Sequence, residues 1–273
     1  MTLRTIRILS LALTVADLAR AEHFYTAALG FVRDETADLT PEMAALLGVA
    51  SGREARLHRG DQSLWLQTFR PTGRPYPAGA LACDQSFQHF AMPVIDIAAL
   101  PPLTSPISHG GPQRLPASSG GAIAFKFRDP DGHPLELIEF PNRTPGGIDH
   151  TAIVVADAER SIAFYRDHLG FRLAARQTNT GPEQDRLDGL DRVSVDVIAL
   201  EPAHATPHLE LLAYRAPQVR PAAPSSPADI VATRIVLEVA GLDRPTLLDD
   251  PDGHKLLLLP PVLTHDGPDP RRS

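Results

Sequence analysis

Cysteine is nearly absent: Cys83 stands alone among 273 residues. It cannot form an internal disulfide, and no CxxC pair or base partner marks it as a nucleophile. It reads as an inert thiol in a reducing, cytoplasmic setting. An excess of positive charge is missing too. The formal net charge of -7 at pH 7 removes the basic stripe that nucleic-acid binding requires. Long apolar runs are also lacking, and none approaches the length needed to cross a bilayer. The segment Ile8 to Ala16 follows two arginines as a secretory leader would. Ser10 and Thr14 interrupt it, however, Asp17 ends it, and no small-residue cleavage pattern follows. What the chain does have is 43% apolar residues at modest charge. That is enough for a real core and too much for disorder, and the length suits two domains of ordinary size.

A repeat organises the chain. LSLALTVADLARAEHFYTAALGF at 9–31 matches DHTAIVVADAERSIAFYRDHLGF at 149–171, and DPDGHPLELIEF at 129–140 matches DPDGHKLLLLP at 250–260. Each half opens and closes alike, which gives domains at 1–142 and 147–262. Pro141 to Gly147 reads as the connection, and 263–273 as a disordered tail rich in proline and charge.

Within each half the pattern is strand, helix, strands. Leu9 to Val15 has the partial alternation of a half-buried strand. Asp17 sits where a helix N-cap would, Leu18, Ala21, Phe24, Tyr25 and Ala28 follow at helical spacing, and Gly30 ends the helix. Asp157 through Gly170 repeats this plan. Strands are expected at 63–69, 194–200 and 208–214, and on both sides of the Asp129-Pro130-Asp131-Gly132 turn. Residues 88–140 hold a strand at 89–95, a short helical candidate at 96–100, a loop rich in proline and glycine, and two closing strands. The fold class is therefore α+β, with four tandem βαβββ modules. The fourth is truncated: Ile235 to Asp250 is less than half as long as Phe90 to Asp129, a loss sized for a helix and two middle strands. His133 and His254, which recur in both DPDGH turns, read as turn or packing residues, and Phe164 and Tyr165 as core.

DHTAIVVADAERSIAFYRDHLGF, HLELLAY and DPDGHPLELIEF together resemble the vicinal-oxygen-chelate superfamily, which includes glyoxalase I, extradiol dioxygenases and bleomycin-binding proteins. The resemblance covers nearly the whole chain and implies curved mixed sheets around a metal cup. Family modules place one ligand on the first strand and one on the last. Carried over position by position, the first module offers Ser10 and Trp65, the second His89 and Glu136, the third His150 and Glu210, and the fourth Arg234 and Leu257. A fused tandem pairs module two with three and module one with four. The resemblance thus implies one live site, His89, Glu136, His150 and Glu210, and one degenerate site. Two imidazoles and two carboxylates suit zinc, nickel, cobalt, iron or manganese without choosing among them. His208, two residues before Glu210, shares its face and could line the pocket.

The activity implied is that of a glyoxalase-type lyase or isomerase acting on a small substrate with vicinal oxygens. Glu136 or Glu210 would serve as the base that generates an enediolate. Glyoxalase I-like members often carry an arginine four residues after the first-strand histidine and an asparagine four after the glutamate. Here Val154 and Tyr214 stand instead, which points away from a glutathione hemithioacetal and toward a less charged compound. The alternatives are a ring-cleaving extradiol dioxygenase, whose ligands would come from modules three and four, and a metal-free small-molecule binding protein. The expected partner is a small molecule, with no nucleic acid or membrane, and the chain would be a monomer or a homodimer.

Overall fold

A computed structural model of the chain describes residues 3–99, 105–116, 120–141, 146–223 and 225–261. The tail expected at 263–273 and residues 142–145 of the connection lie outside the described residues.

The first module runs β1 (Arg4–Thr14), α1 (Leu18–Leu29), β2 (Val32–Asp38), α2 (Pro41–Leu47), β3 (Ser51–Arg59) and β4 (Gln62–Arg70). The second has β5 (Phe87–Pro93), β6 (Gln113–Arg114), β7 (Ile123–Arg128) and β8 (Pro134–Glu139). The third repeats the first as β9 (His150–Val154), α3 (Ala158–Leu169), β10 (Arg172–Thr180), α4 (Pro182–Asp188), β11 (Ser194–Glu201) and β12 (His208–Ala216). The fourth is β13 (Arg234–Ala240), β14 (Thr246–Asp249) and β15 (Lys255–Leu259).

The caps explain the two long helices. The Asp17 and Asp157 carboxylates accept from the backbone N–H groups of Arg20 and Arg160, satisfying donors that a helix start leaves open. Gly30 and Gly170 close the helices in the left-handed region, at φ 71° each, where a Cβ would be strained. Among the described residues, none of these helices is long and apolar enough to cross a membrane.

Three details differ from the sequence reading. The helix expected at 96–100 is absent over the described part, where Val94 to Ala99 are bends and turns. Four or five residues running into Pro101 and Pro102 cannot complete a hydrogen-bonded helix. The short helices α2 and α4 were not expected, because seven residues are too few to display a 3.6-residue period. The truncated fourth module keeps one middle strand, β14, rather than losing both.

The sheets do not follow the two sequence halves. One seven-stranded sheet, in the order β14-β15-β13-β1-β4-β3-β2, unites the first and fourth modules. An eight-stranded sheet, β10-β11-β12-β9-β5-β8-β7-β6, unites the second and third. In both, the first strands of the two modules pair antiparallel at the centre, and each first strand also pairs parallel with the last strand of its own module. Helices α1 and α3 tie the sheets together. Tyr25 on α1 donates to Asp129 of the inner turn at 2.8 Å, and Tyr165 on α3 donates to Asp250 of the outer turn at 3.1 Å. His133 and His254 act within these turns, as expected, each bonding a distant backbone carbonyl through Nε2.

Candidate functional site

Strand register places the four expected donors together. His208 lies beside His150, and Glu210 is two residues further on, on the same face. Ala91 lies beside Glu136 in the same way, two residues beyond His89. Across the antiparallel centre, His89 faces Ala152 while Ala91 faces His150, so the two histidines sit diagonally on one face. The His89 and His150 Nε2 atoms are 3.1 Å apart. Glu136 Oε2 is 3.0 Å from His89 Nε2 and 3.4 Å from His150 Nε2, and Glu210 Oε2 is 3.6 Å from His150 Nε2. His208 joins the edge of this group, its Nε2 3.5 Å from Glu210 Oε1. The four donors line a cavity of about 320 Å³.

The donor set fits a divalent cation. His89, Glu136 and His150 can each point one ligand atom to a common point, with those atoms within 4.8 Å of one another. All three are buried, and without a cation the geometry relies on close contact between two imidazoles. Behind them, Asp149 Oδ2 accepts from His150 Nδ1 at 3.0 Å, and the Gln88 side-chain oxygen holds His89 Nδ1. Such outer partners fix the ring tautomer that leaves Nε2 free to bind. Burial works against the Glu136 carboxylate, but His89, His150 and Lys126 outweigh it and hold its pKa well below the usual range. Glu210 is likewise lowered against burial, by His150 and His208. For the His89 imidazolium, burial dominates and pushes the pKa down.

The sequence did not reveal the polar network beside the donors. Lys126 on β7 lies opposite Glu136, with its side chain only 5% exposed, and donates to Asp188 Oδ1 at 2.7 Å. Asp188 ends α4, and its other oxygen accepts from Tyr214 at 2.9 Å and from Gln184 at 2.8 Å. Gln88 continues the chain from Tyr214 to His89. Alternation along β7 would have placed Lys126 on the Ala124 side of the strand, but only the tertiary fold brings α4 over it. Tyr214 and Val154, the two departures from the family pattern, are both buried, and Tyr214 is spent on this network.

The outer sheet has the same frame and different side chains. Ser10 faces Val236 while Ala12 faces Arg234, Ser10 lies beside Ser63 with Trp65 two residues on, and Arg234 lies beside Lys255 with Leu257 two residues on. This is the inner register residue for residue. Trp65 and Leu257 pack with Ala12 and Val236, and with Met43 and Leu46 of α2, into an apolar plug. The buried Arg234 guanidinium donates to Thr14 Oγ1, Gln67 Oε1 and the Ala232 and Pro227 carbonyls, and burial lowers its pKa to about 10. Cys83 is buried, which pushes its thiol pKa up and fits an inert role.

Comparison with known proteins agrees with this architecture. Residues 7–137 and 147–229 match the family model described as Glyoxalase/Bleomycin resistance protein/Dioxygenase superfamily. A lactoylglutathione lyase of Arabidopsis thaliana is 28% identical over 170 residues, 61% of this chain and 56% of that protein. A probable chloroplastic lactoylglutathione lyase of the same plant is 27% identical over 177 residues, 63% of this chain and 47% of that protein. The chain thus spans about half the length of these relatives. In fold it resembles glyoxalase I from Zea mays, with a TM-score of 0.63 at 20% identity, covering 93% of this chain and 92% of that one. It also resembles a putative dioxygenase from Bacillus subtilis, with a TM-score of 0.55 at 10% identity, covering 96% and 88%. With both halves of the repeat matched, the chain belongs to the glyoxalase, bleomycin resistance protein and dioxygenase superfamily.

Proposed function

We propose that the inner cup holds one divalent cation through His89, Glu136, His150 and Glu210, and that the protein is a glyoxalase-type lyase or isomerase. Its substrate is a small molecule with two neighbouring oxygens. The observation that carries this reading is the convergence of two buried imidazoles and the buried Glu136 carboxylate, with the part-exposed Glu210 carboxylate at their edge, on one cavity of about 320 Å³. A bound cation would supply Lewis acidity to the substrate oxygens. The chain supplies the rest. Asp149 and Gln88 hold the two imidazoles in position. Glu136 and Glu210 stay ionised despite burial. One of them takes the proton from the carbon beside the substrate carbonyl, leaving an enediolate, and returns it to the neighbouring carbon. The relatives named as lactoylglutathione lyases support this reaction class. The buried Val154 and the engaged Tyr214 argue that glutathione is not held as in those enzymes.

The test is solvent-deuterium exchange into hydroxyacetone, with the methylglyoxal–glutathione hemithioacetal as the comparison expected to exchange more slowly, followed by NMR with cobalt-loaded protein. Exchange in the wild type and none in Glu136→Gln/Glu210→Gln is the expected result. Exchange that survives the double substitution overturns the assignment of the base.

A second reading has one observation in its favour. His89, His150 and Glu136 form a two-histidine, one-carboxylate set, the donor combination of non-haem iron(II) oxygenases. A dioxygenase drawing its ligands from modules three and four has no counterpart here, since Arg234 and Leu257 lie in the other sheet. Oxygen uptake with catechol after anaerobic iron loading would favour the inner cup as a dioxygenase site. Purified protein that takes up no metal would favour a binding protein.

A further inference from the structure

We infer that Lys126 is a substrate-anchoring residue, and that the cup selects a chelating small molecule that carries one carboxylate next to its vicinal oxygens. The inference rests on the metal-cup reading above and specifies what that cup accepts.

A lysine ammonium has three N–H donors. In this structure one of them goes to Asp188 Oδ1, at 2.7 Å, and the other two have no acceptor among the described residues. Lys126 lines the cavity together with His89, Glu136, His150 and Glu210. Asp188 is completely buried and is not among the residues lining that cavity. Its carboxylate is turned away, with one oxygen on Lys126 and the other shared by Tyr214 and Gln184. The arrangement is a backstop. It holds the ammonium charged and in place from behind and leaves the cavity side of the same nitrogen for an acceptor. A buried lysine kept only for packing would need no cavity face, and burying its charge without full pairing is costly. A carboxylate oxygen supplied by the ligand would complete the set with a charge-assisted bond.

A single ligand carboxylate also matches the single ammonium of the lining. Among the described residues, Lys126 is the one ammonium in a lining whose Glu136, Asp149 and Glu210 carboxylates a divalent cation would offset, and Leu115, Ile138, Val195, Val197 and Leu212 form its apolar part. The cup thus has one anchor, where a glutathione adduct would bring two carboxylates. Asp188 is a positioning residue, since it reaches the ligand only through Lys126.

The test uses two hydroxamates that chelate alike and differ in their tails: malonohydroxamate, ending in a carboxylate, and propionohydroxamate, ending in a methyl group. Each is titrated into cobalt-loaded protein and followed by the cobalt d–d spectrum. The wild type should bind malonohydroxamate about tenfold more tightly, the scale of one charge-assisted hydrogen bond. Lys126→Met should erase the preference while the cobalt content stays at the wild-type value. Because that change leaves the Asp188 carboxylate buried without its cation, Lys126→Met/Asp188→Asn is measured in parallel and should behave the same way. Asp188→Asn alone should shrink the preference, whereas a purely structural role for Asp188 would weaken both hydroxamates equally. Equal affinity in the wild type, or a preference that persists without Lys126, overturns the inference and leaves the metal cup standing. No spectral response to either hydroxamate overturns both readings.

Discussion

The two cups of this chain have the same backbone register and opposite contents. At the inner cup, the four positions that the register brings together hold His89, Glu136, His150 and Glu210. At the outer cup, the equivalent positions hold Ser10, Trp65, Arg234 and Leu257. The inner side chains are polar donors around a cavity. The outer ones are an apolar plug with one arginine satisfied by neighbouring oxygens. The strand pairing therefore decides where ligands can be, and side-chain chemistry alone decides whether they are. A set of four donors, three of them buried, must be compensated by a cation or by one another, whereas the plug gains its stability directly from apolar burial.

The contrast can be broken most forcefully at the inner cup. Purified protein should hold about one equivalent of divalent metal. Glu136→Gln/Glu210→Gln should lower cation affinity by about a hundredfold or more, as measured by elemental analysis and competition with a chelator. An outer-cup substitution should leave the metal content unchanged. Arg234→Ala probes the plug instead. It strips the donors from Thr14, Gln67 and two carbonyls, and should cost about 3 kcal/mol in chemical denaturation at constant metal content. Metal lost in step with Arg234→Ala would mean that the cups are not independent.

Proton release separates the two sites further. In cation-free protein, burial works against the His150 imidazolium, but Glu210, Asp149 and Glu136 outweigh it and raise its pKa well above the usual range. A cation needs the Nε2 lone pair, so binding displaces this proton. Affinity should then climb about tenfold per pH unit from pH 6.5 or so upward, until the raised pKa is passed. Folding of the cation-free protein responds in the opposite sense. His150 contributes its full stabilisation below its unfolded pKa of about 6.5, and that contribution fades as pH rises through the folded value. Denaturation midpoints measured with and without cation across this window should converge at low pH and separate at high pH. A metal affinity that is flat with pH would remove His150 from the ligand set.

The smallest effects test the shared frame. Tyr25→Phe and Tyr165→Phe each remove one donor to a turn aspartate. Each should cost about 1 kcal/mol, and the two costs should match. A large inequality would show that the two halves are not held by equivalent ties.

Much of this was legible in the sequence, for identifiable reasons. Asp17 with Gly30, and Asp157 with Gly170, mark helix ends through backbone requirements that depend on no distant contact. The paired DPDGH turns gave the repeat, and the repeat together with the family resemblance singled out four residues that the fold brings to one cavity. Three features were not legible. The helix expected at 96–100 had too few residues before Pro101. The helices α2 and α4 were too short to show a period. Lys126 and Asp188 are 62 positions apart, and nothing local to either indicates that α4 lies over β7.

The strand order also sets a sequence of events for folding. All eight strands of the inner sheet come from one continuous stretch between Phe87 and Ala216. The outer sheet must join β1 to β13, near opposite ends of the chain. Long-range closures of this kind are slow. During synthesis the inner sheet can therefore assemble first, while β1 keeps an unpaired edge until β13 emerges. That edge is the segment most exposed to unwanted pairing with other chains.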